Sequence, residues 1–87
     1  APDPHFWTSL SGAATMARNM TAALAQISPD SAGIYSARLS SLLERLDSLN
    51  VTLAAELAAA PSRTFAVWHP SLSYFARDYG LEQLAVG

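Results

Sequence analysis

The sequence predicts an α-rich chain with an α/β end: a helix, one much longer helix, then a strand-helix-strand unit. Three observations carry this. After Pro29, no proline occurs as far as Ala60 and the only glycine, Gly33, lies in the opening turns, so one helix of about 46 Å is expected. Thr64 to Trp68 is a β-branched and aromatic run, the composition of a strand. A short amphipathic segment and a second apolar run follow it, which is the βαβ order of a parallel sheet.

Each element has its own signals. Ala1 to Thr8 reads as an extended lead-in, because Pro2 and Pro4 bias the residues before them toward extended backbone. Ser9 or Ser11 can cap the first helix, in which Ala13, Met16, Ala17, Met20, Leu24 and Ile27 give one apolar stripe. Ser28-Pro29-Asp30 stops that helix and opens the next. Ser28 can accept from the following amides, Pro29 suits the first helical position, and Asp30 complements the positive end of the dipole. Tyr35, Leu39, Leu42, Leu46, Leu49, Leu53 and Leu57 then fall on one stripe of the long helix. A small domain has no core that long, so the helix must form a coiled coil or span two lobes of a larger protein. Pro61-Ser62-Arg63 ends it. Thr64 to Trp68 lacks clear alternation, which fits a strand buried on both faces. Pro70 or Ser71 opens a short helix carrying Leu72, Phe75, Ala76 and Tyr79 on one side, and Gly80 is expected at its left-handed end. Leu81 to Val86 enters the second strand.

The 87 residues make one small domain at most. Apolar residues are 51% of the chain and charged ones 14%, more core-like than a free-standing domain of this size needs, so other protein is expected to cover some of the surface. The net charge is −2 and the five basic residues, all arginine, form no block, which excludes a nucleic-acid-binding face. The absence of cysteine permits any redox compartment, a bacterial periplasm included. No apolar run approaches the roughly 18 residues that cross a bilayer. Ala1-Pro2-Asp3-Pro4 has neither the basic nor the apolar region of a signal peptide, so the chain is expected to be cytosolic, already processed, or cut from something longer.

His5 and His69 are the only histidines, and both sit at element boundaries. Neutral imidazole is the commonest protein ligand for zinc and related metals, although a single histidine is as a rule an ordinary surface residue. Chain length lets the two meet: the first helix leads away by about 24 Å, an antiparallel long helix returns about 46 Å, and the strand comes back about 17 Å. His69 closes a strand at its carboxyl end, where open α/β sheets bind ligands. Each histidine lies at the mouth of a helix, where the dipole biases a ring toward its neutral, metal-ligating form. Asp3 has two readings, an acceptor that fixes the His5 tautomer or a turn residue before Pro4. Zinc takes four ligands, or three and a water. No carboxylate has helical metal-ligand spacing to either histidine, so the remaining ligands are expected from missing chain or a second copy. Ser71 lacks a nucleophile elbow, and neither a phosphate loop nor a dinucleotide fingerprint occurs, so no enzyme is expected. Trp7, Trp68, Tyr74 and Phe75 are expected as core or pocket wall.

Asp3-Pro4-His5-Phe6-Trp7 resembles the D-P-H-x-W motif of the cluster A-I receptors, the zinc/manganese-binding periplasmic receptors of ABC transporters. Phe65-Ala66-Val67-Trp68-His69, with Tyr74-Phe75 and Tyr79-Gly80-Leu81 after it, is similar to that family's second signature, an apolar strand, a histidine, then Y-F-x-x-x-Y-G-L. Ser28-Pro29-Asp30 and Tyr35-x-x-x-Leu39 match the start of its long helix. The similarity covers essentially the whole chain. It implies an α-rich fragment of an α/β two-lobe receptor: residues 1–28 ending the first lobe, 29–60 the connecting helix, 61–87 starting the second lobe. It further implies that His5 and His69 match the second and third metal ligands, with the first and fourth outside the chain. Histidine at the third position is the zinc-receptor pattern, where manganese receptors carry glutamate, so Zn2+ is favoured over Mn2+. The implied protein is extracytoplasmic, hands metal to an ABC permease, and is not membrane-spanning. Trp68 and Pro70, on either side of His69, depart from the family's usual residues.

The rival readings are a self-associating helical module with the Leu39 to Leu57 stripe as its seam, a manganese receptor or adhesin of the same family, and a metal-dependent hydrolase, for which no general base is found.

Overall fold

A computed structural model describes residues 2–87. A 3-10 turn, Phe6–Thr8, precedes α1 (Leu10–Ile27), and a second, Pro29–Ser31, precedes α2 (Ala32–Ala58). Then come β1 (Thr64–Val67), α3 (Ser73–Asp78) and β2 (Glu82–Ala85). The helices α1 and α2 pack as a hairpin, and the strand-helix-strand unit sits beyond its open end, against the lead-in.

Ser9, not Ser11, caps α1. Its Oγ accepts from the Gly12 N–H at 3.0 Å and donates to the Phe6 carbonyl at 3.1 Å. Ser9 is 2% exposed, the one buried polar residue among those described. Ser11 turns outward instead and donates to Asp78 Oδ2 at 2.8 Å. The 3-10 turn before α1 can fold back onto the helix because residue 12 lacks a side chain. A Cβ at Gly12 would overlap the Phe6 carbonyl.

The junction between the two long helices differs from the expectation. The Ser28 hydroxyl makes no cap bond. Its backbone serves both sides, the N–H donating to Leu24 O at 2.8 Å and the carbonyl accepting from Ser31 N–H at 3.0 Å. Pro29–Ser31 is therefore a separate turn, and α2 is 27 residues, about 40 Å, rather than one helix from Pro29 to Ala60.

The apolar stripes are also only partly as expected. Tyr35, Leu39, Leu46, Leu53 and Leu57 are half-buried, but Leu42 and Leu49 are exposed and Leu43 turns inward in place of Leu42. A seven-residue repeat drifts around a straight helix of 3.6 residues per turn, and the shorter α1 covers only one side of α2. On α1 the half-buried line runs through Ala13, Ala17, Thr21 and Ala25, leaving Met20, Leu24 and Ile27 exposed.

The strands pair parallel, with Thr64 opposite Glu82 and Val67 opposite Ala85. Bonds from Glu82 N–H to Arg63 O (2.7 Å) and from Val86 N–H to Val67 O (2.9 Å) extend the ladder. β1 stops at Val67, before Trp68. It is not buried on both faces: Phe65 and Val67 are half-buried while Thr64 and Ala66 are exposed. A sheet of two strands has too little cover for more. α3 starts at Ser73, later than Pro70 or Ser71, and Gln83 Oε1 takes up the free Leu72 N–H at 2.8 Å. Its end is a Schellman motif. Leu81 N–H reaches Ala76 O at 2.8 Å, Gly80 N–H reaches Arg77 O at 3.4 Å, and Gly80 is left-handed at φ 64°.

These elements enclose almost no core. Ala76 is the one buried apolar residue among those described. The radius of gyration is 16.0 Å, against about 12 Å for a compact chain of this length. The accessible surface is 6023 Å², where a free-standing fold of this mass exposes about 4,900 Å².

Two substitutions test the local physics by urea denaturation. Ser9→Ala removes a buried cap and lowers stability by about 1–2 kcal/mol. Gly12→Ala gains up to roughly 1 kcal/mol of helix propensity, yet the overlap with Phe6 makes the net effect destabilising, so the midpoint falls.

Candidate metal centre

Residues 2–5 have no regular structure, and side chains fix their course. Asp3 Oδ1 accepts from the His5 backbone N–H at 3.0 Å and lies 2.7 Å from His5 Nδ1. Both readings of Asp3 are thus realised at once, as turn former and as acceptor for the ring. The His5 N–H first, then the ring, hold the Asp3 carboxyl below its usual range. An ionised carboxylate only accepts, so Nδ1 is the ring atom that donates in this pair. Trp7 meets the same ring edge-on, with centroids 5.6 Å apart.

His69 lies just past β1 and is exposed. Its ring stands 5.2 Å from that of His5, centroid to centroid, at 83°. With Zn–N of about 2.0–2.1 Å and roughly 1.1 Å from centroid to nitrogen, two imidazoles on one tetrahedral zinc hold their centroids roughly 5 Å apart. The pair is spaced for one such ion. A third group is not at hand: among the described residues no three His, Cys, Asp or Glu side chains gather so as to hold a metal ion.

The helix-mouth expectation needs correction. His5 caps only the turn Phe6–Thr8, and His69 is separated from α3 by Pro70, Ser71 and Leu72. The carboxylate of Asp3, not a helix dipole, sets the His5 tautomer. The aromatic residues divide too: Tyr74 and Phe75 are half-buried, whereas Trp7 and Trp68 are exposed.

Contacts distant in sequence bring the two histidines together. The Thr8 hydroxyl sits between two carbonyl oxygens, 2.9 Å from that of His5 and 2.7 Å from that of Ser71. The Tyr74 hydroxyl donates to the Asp3 carbonyl at 2.9 Å. Ser11 and Asp78 make a third tie. The roles of Thr8, Ser71 and Gly12 were not apparent from sequence, because a hydroxyl or a glycine in a loop gives no periodic signal.

The family model described as zinc-uptake complex component A, periplasmic (ZnuA), matches residues 1–87. The chain belongs to the ZnuA family. It is 31% identical over 84 residues to the zinc-binding protein AdcA of Streptococcus pyogenes, a match covering 97% of this chain and 16% of that protein. It superposes on a zinc-bound ZnuA deletion mutant with a TM-score of 0.95 and 39% identity, covering 100% of this chain and 34% of the other. For a further ZnuA crystal structure the TM-score is 0.94 and the identity 40%, over 99% of this chain and 34% of that one. The chain thus spans about a third or less of the proteins it matches. Its helix, long helix and strand-helix-strand unit match a stretch of a ZnuA-like two-lobe receptor. Among the described residues no helix is long and apolar enough to cross a membrane.

The tautomer can be read directly. Nitrogen-15 NMR of the His5 ring is expected to show the Nδ1-protonated form, and Asp3→Ala to shift it toward the Nε2-protonated form that predominates in free histidine; no change would remove Asp3 from the site.

Proposed function

We propose that this chain forms the central part of an extracytoplasmic zinc receptor, and that His5 and His69 are two of the zinc ligands. In this reading residues 1–28 close the first lobe, 29–60 are the connecting helix, and 61–87 open the second lobe. The observation that carries it is the 5.2 Å approach of two imidazoles some sixty positions apart in sequence, one of them aimed by a carboxylate. Nitrogen donors suit zinc better than the oxygen-preferring manganese. The other ligands come from parts of the receptor outside this chain; among the described residues no group of three donor side chains gathers. The excess exposed surface, with Met20, Leu24, Ile27 and Leu49 on it, is where the rest of the lobes would pack.

The protein binds and releases; it does not catalyse. Its partner is the ABC permease that takes the metal across the membrane. The helix α2, about 40 Å long, acts as a strut that limits how far the lobes can swing. Metal exchange then proceeds through movement of the lead-in and of the loop after β1.

The test is competition titration of the complete receptor with a chromogenic zinc chelator. His5→Ala and His69→Ala should each weaken zinc binding at least about tenfold. Wild-type affinity in both variants would end the assignment.

A further inference from the structure

We infer that Tyr74 is a positioning residue for zinc, coupling the strand-helix-strand unit to the ring of His5 through Asp3. The inference rests on the proposed ligand role of His5.

Asp3 holds the His5 ring by its carboxylate, but nothing regular holds Asp3. Its backbone lies in the lead-in, and its carbonyl is the acceptor for the Tyr74 hydroxyl, 71 positions away in sequence, at 2.9 Å. Tyr74 is in the first turn of α3 and half-buried. Its ring is fixed from its face by the Arg77 guanidinium, 5.0 Å from the centroid. The line of contact is therefore Tyr74 Oη to Asp3 carbonyl, then Asp3 Oδ1 to His5 Nδ1. Tyr74 belongs to the same unit that carries His69 on the end of β1. One unit thus supplies one ligand directly and aims the other at second hand.

This arrangement has a consequence for release. Moving the lead-in away from α3 takes His5 from His69 and, in the same motion, breaks the bond that holds Asp3. The His5 ring then loses its fixed direction. Loss of the Tyr74 bond thus loosens the hold of the His5 ring on the ion.

Tyr74→Phe keeps the ring and its stacking with Arg77 and removes only the hydroxyl, so it isolates the bond. In the complete receptor we expect Tyr74→Phe to speed zinc release to a chelator about three- to tenfold, the size of one lost hydrogen bond. The His5 Nδ1–H signal should exchange faster with water. Tyr74→Phe should add nothing in an Asp3→Ala background, because Tyr74 then has no carboxylate to aim. Wild-type release from Tyr74→Phe would overturn the inference. So would effects of the two substitutions that multiply, since that is the behaviour of a residue contributing only to stability. His5→Ala serves as the control. If it weakens zinc binding while Tyr74→Phe does not, the coupling fails and the ligand reading stands; if it leaves zinc affinity unchanged, the ligand reading itself fails.

Discussion

The site depends on closing a long loop of chain with a few hydroxyl groups. Thr8 reaches Ser71 and Tyr74 reaches Asp3 across sequence separations of 63 and 71 residues. Such closures cost conformational entropy that grows only slowly with loop length. The helical hairpin meets most of that cost in advance, because its two packed helices already return the chain toward its start. The hydroxyl bonds then have only to fix the last few ångströms. Thr8, Asp3 and Tyr74 take part in these ties, and all three are half-buried.

A second constraint follows from shape. The elements wrap almost no apolar interior, and Ala76 is the one buried apolar residue described. Hydrophobic burial is the main force opposing chain entropy, so a layout this open gains little stability from burial among its own described residues. In the proposed receptor an α2 of about 40 Å would serve as a strut between the lobes, with the histidines at one end of the hairpin.

Much of this was legible in the sequence, and for identifiable reasons. Proline punctuation separated the helices without fixing their first residues, since α2 starts at Ala32 and α3 at Ser73, and Gly80 marked its left-handed turn, because those residues act locally whatever surrounds them. The parallel strand pair followed from element order. His5 and His69 stood out by chemistry. Asp3 gave two readings that turned out compatible. What failed was whatever depended on neighbours. Leu42, Leu49, Met20 and Ile27 fit a stripe, but a stripe does not say how much of it a partner helix covers. Ser28 looked like a side-chain cap, yet its backbone does the work and splits off Pro29–Ser31. β1 was expected to be buried on both sides, and a two-stranded sheet cannot do that. Gly12 drew no notice at all, since its role is to leave room for a carbonyl that only the fold brings there.

The most direct measurement is anomalous diffraction at the zinc edge from crystals of the complete, zinc-loaded receptor. One strong peak is expected within about 2.1 Å of His5 Nε2 and of a ring nitrogen of His69, with the Asp3 carboxylate still on His5 Nδ1. A zinc peak bonded to neither ring, or to only one of them, would contradict the joint site.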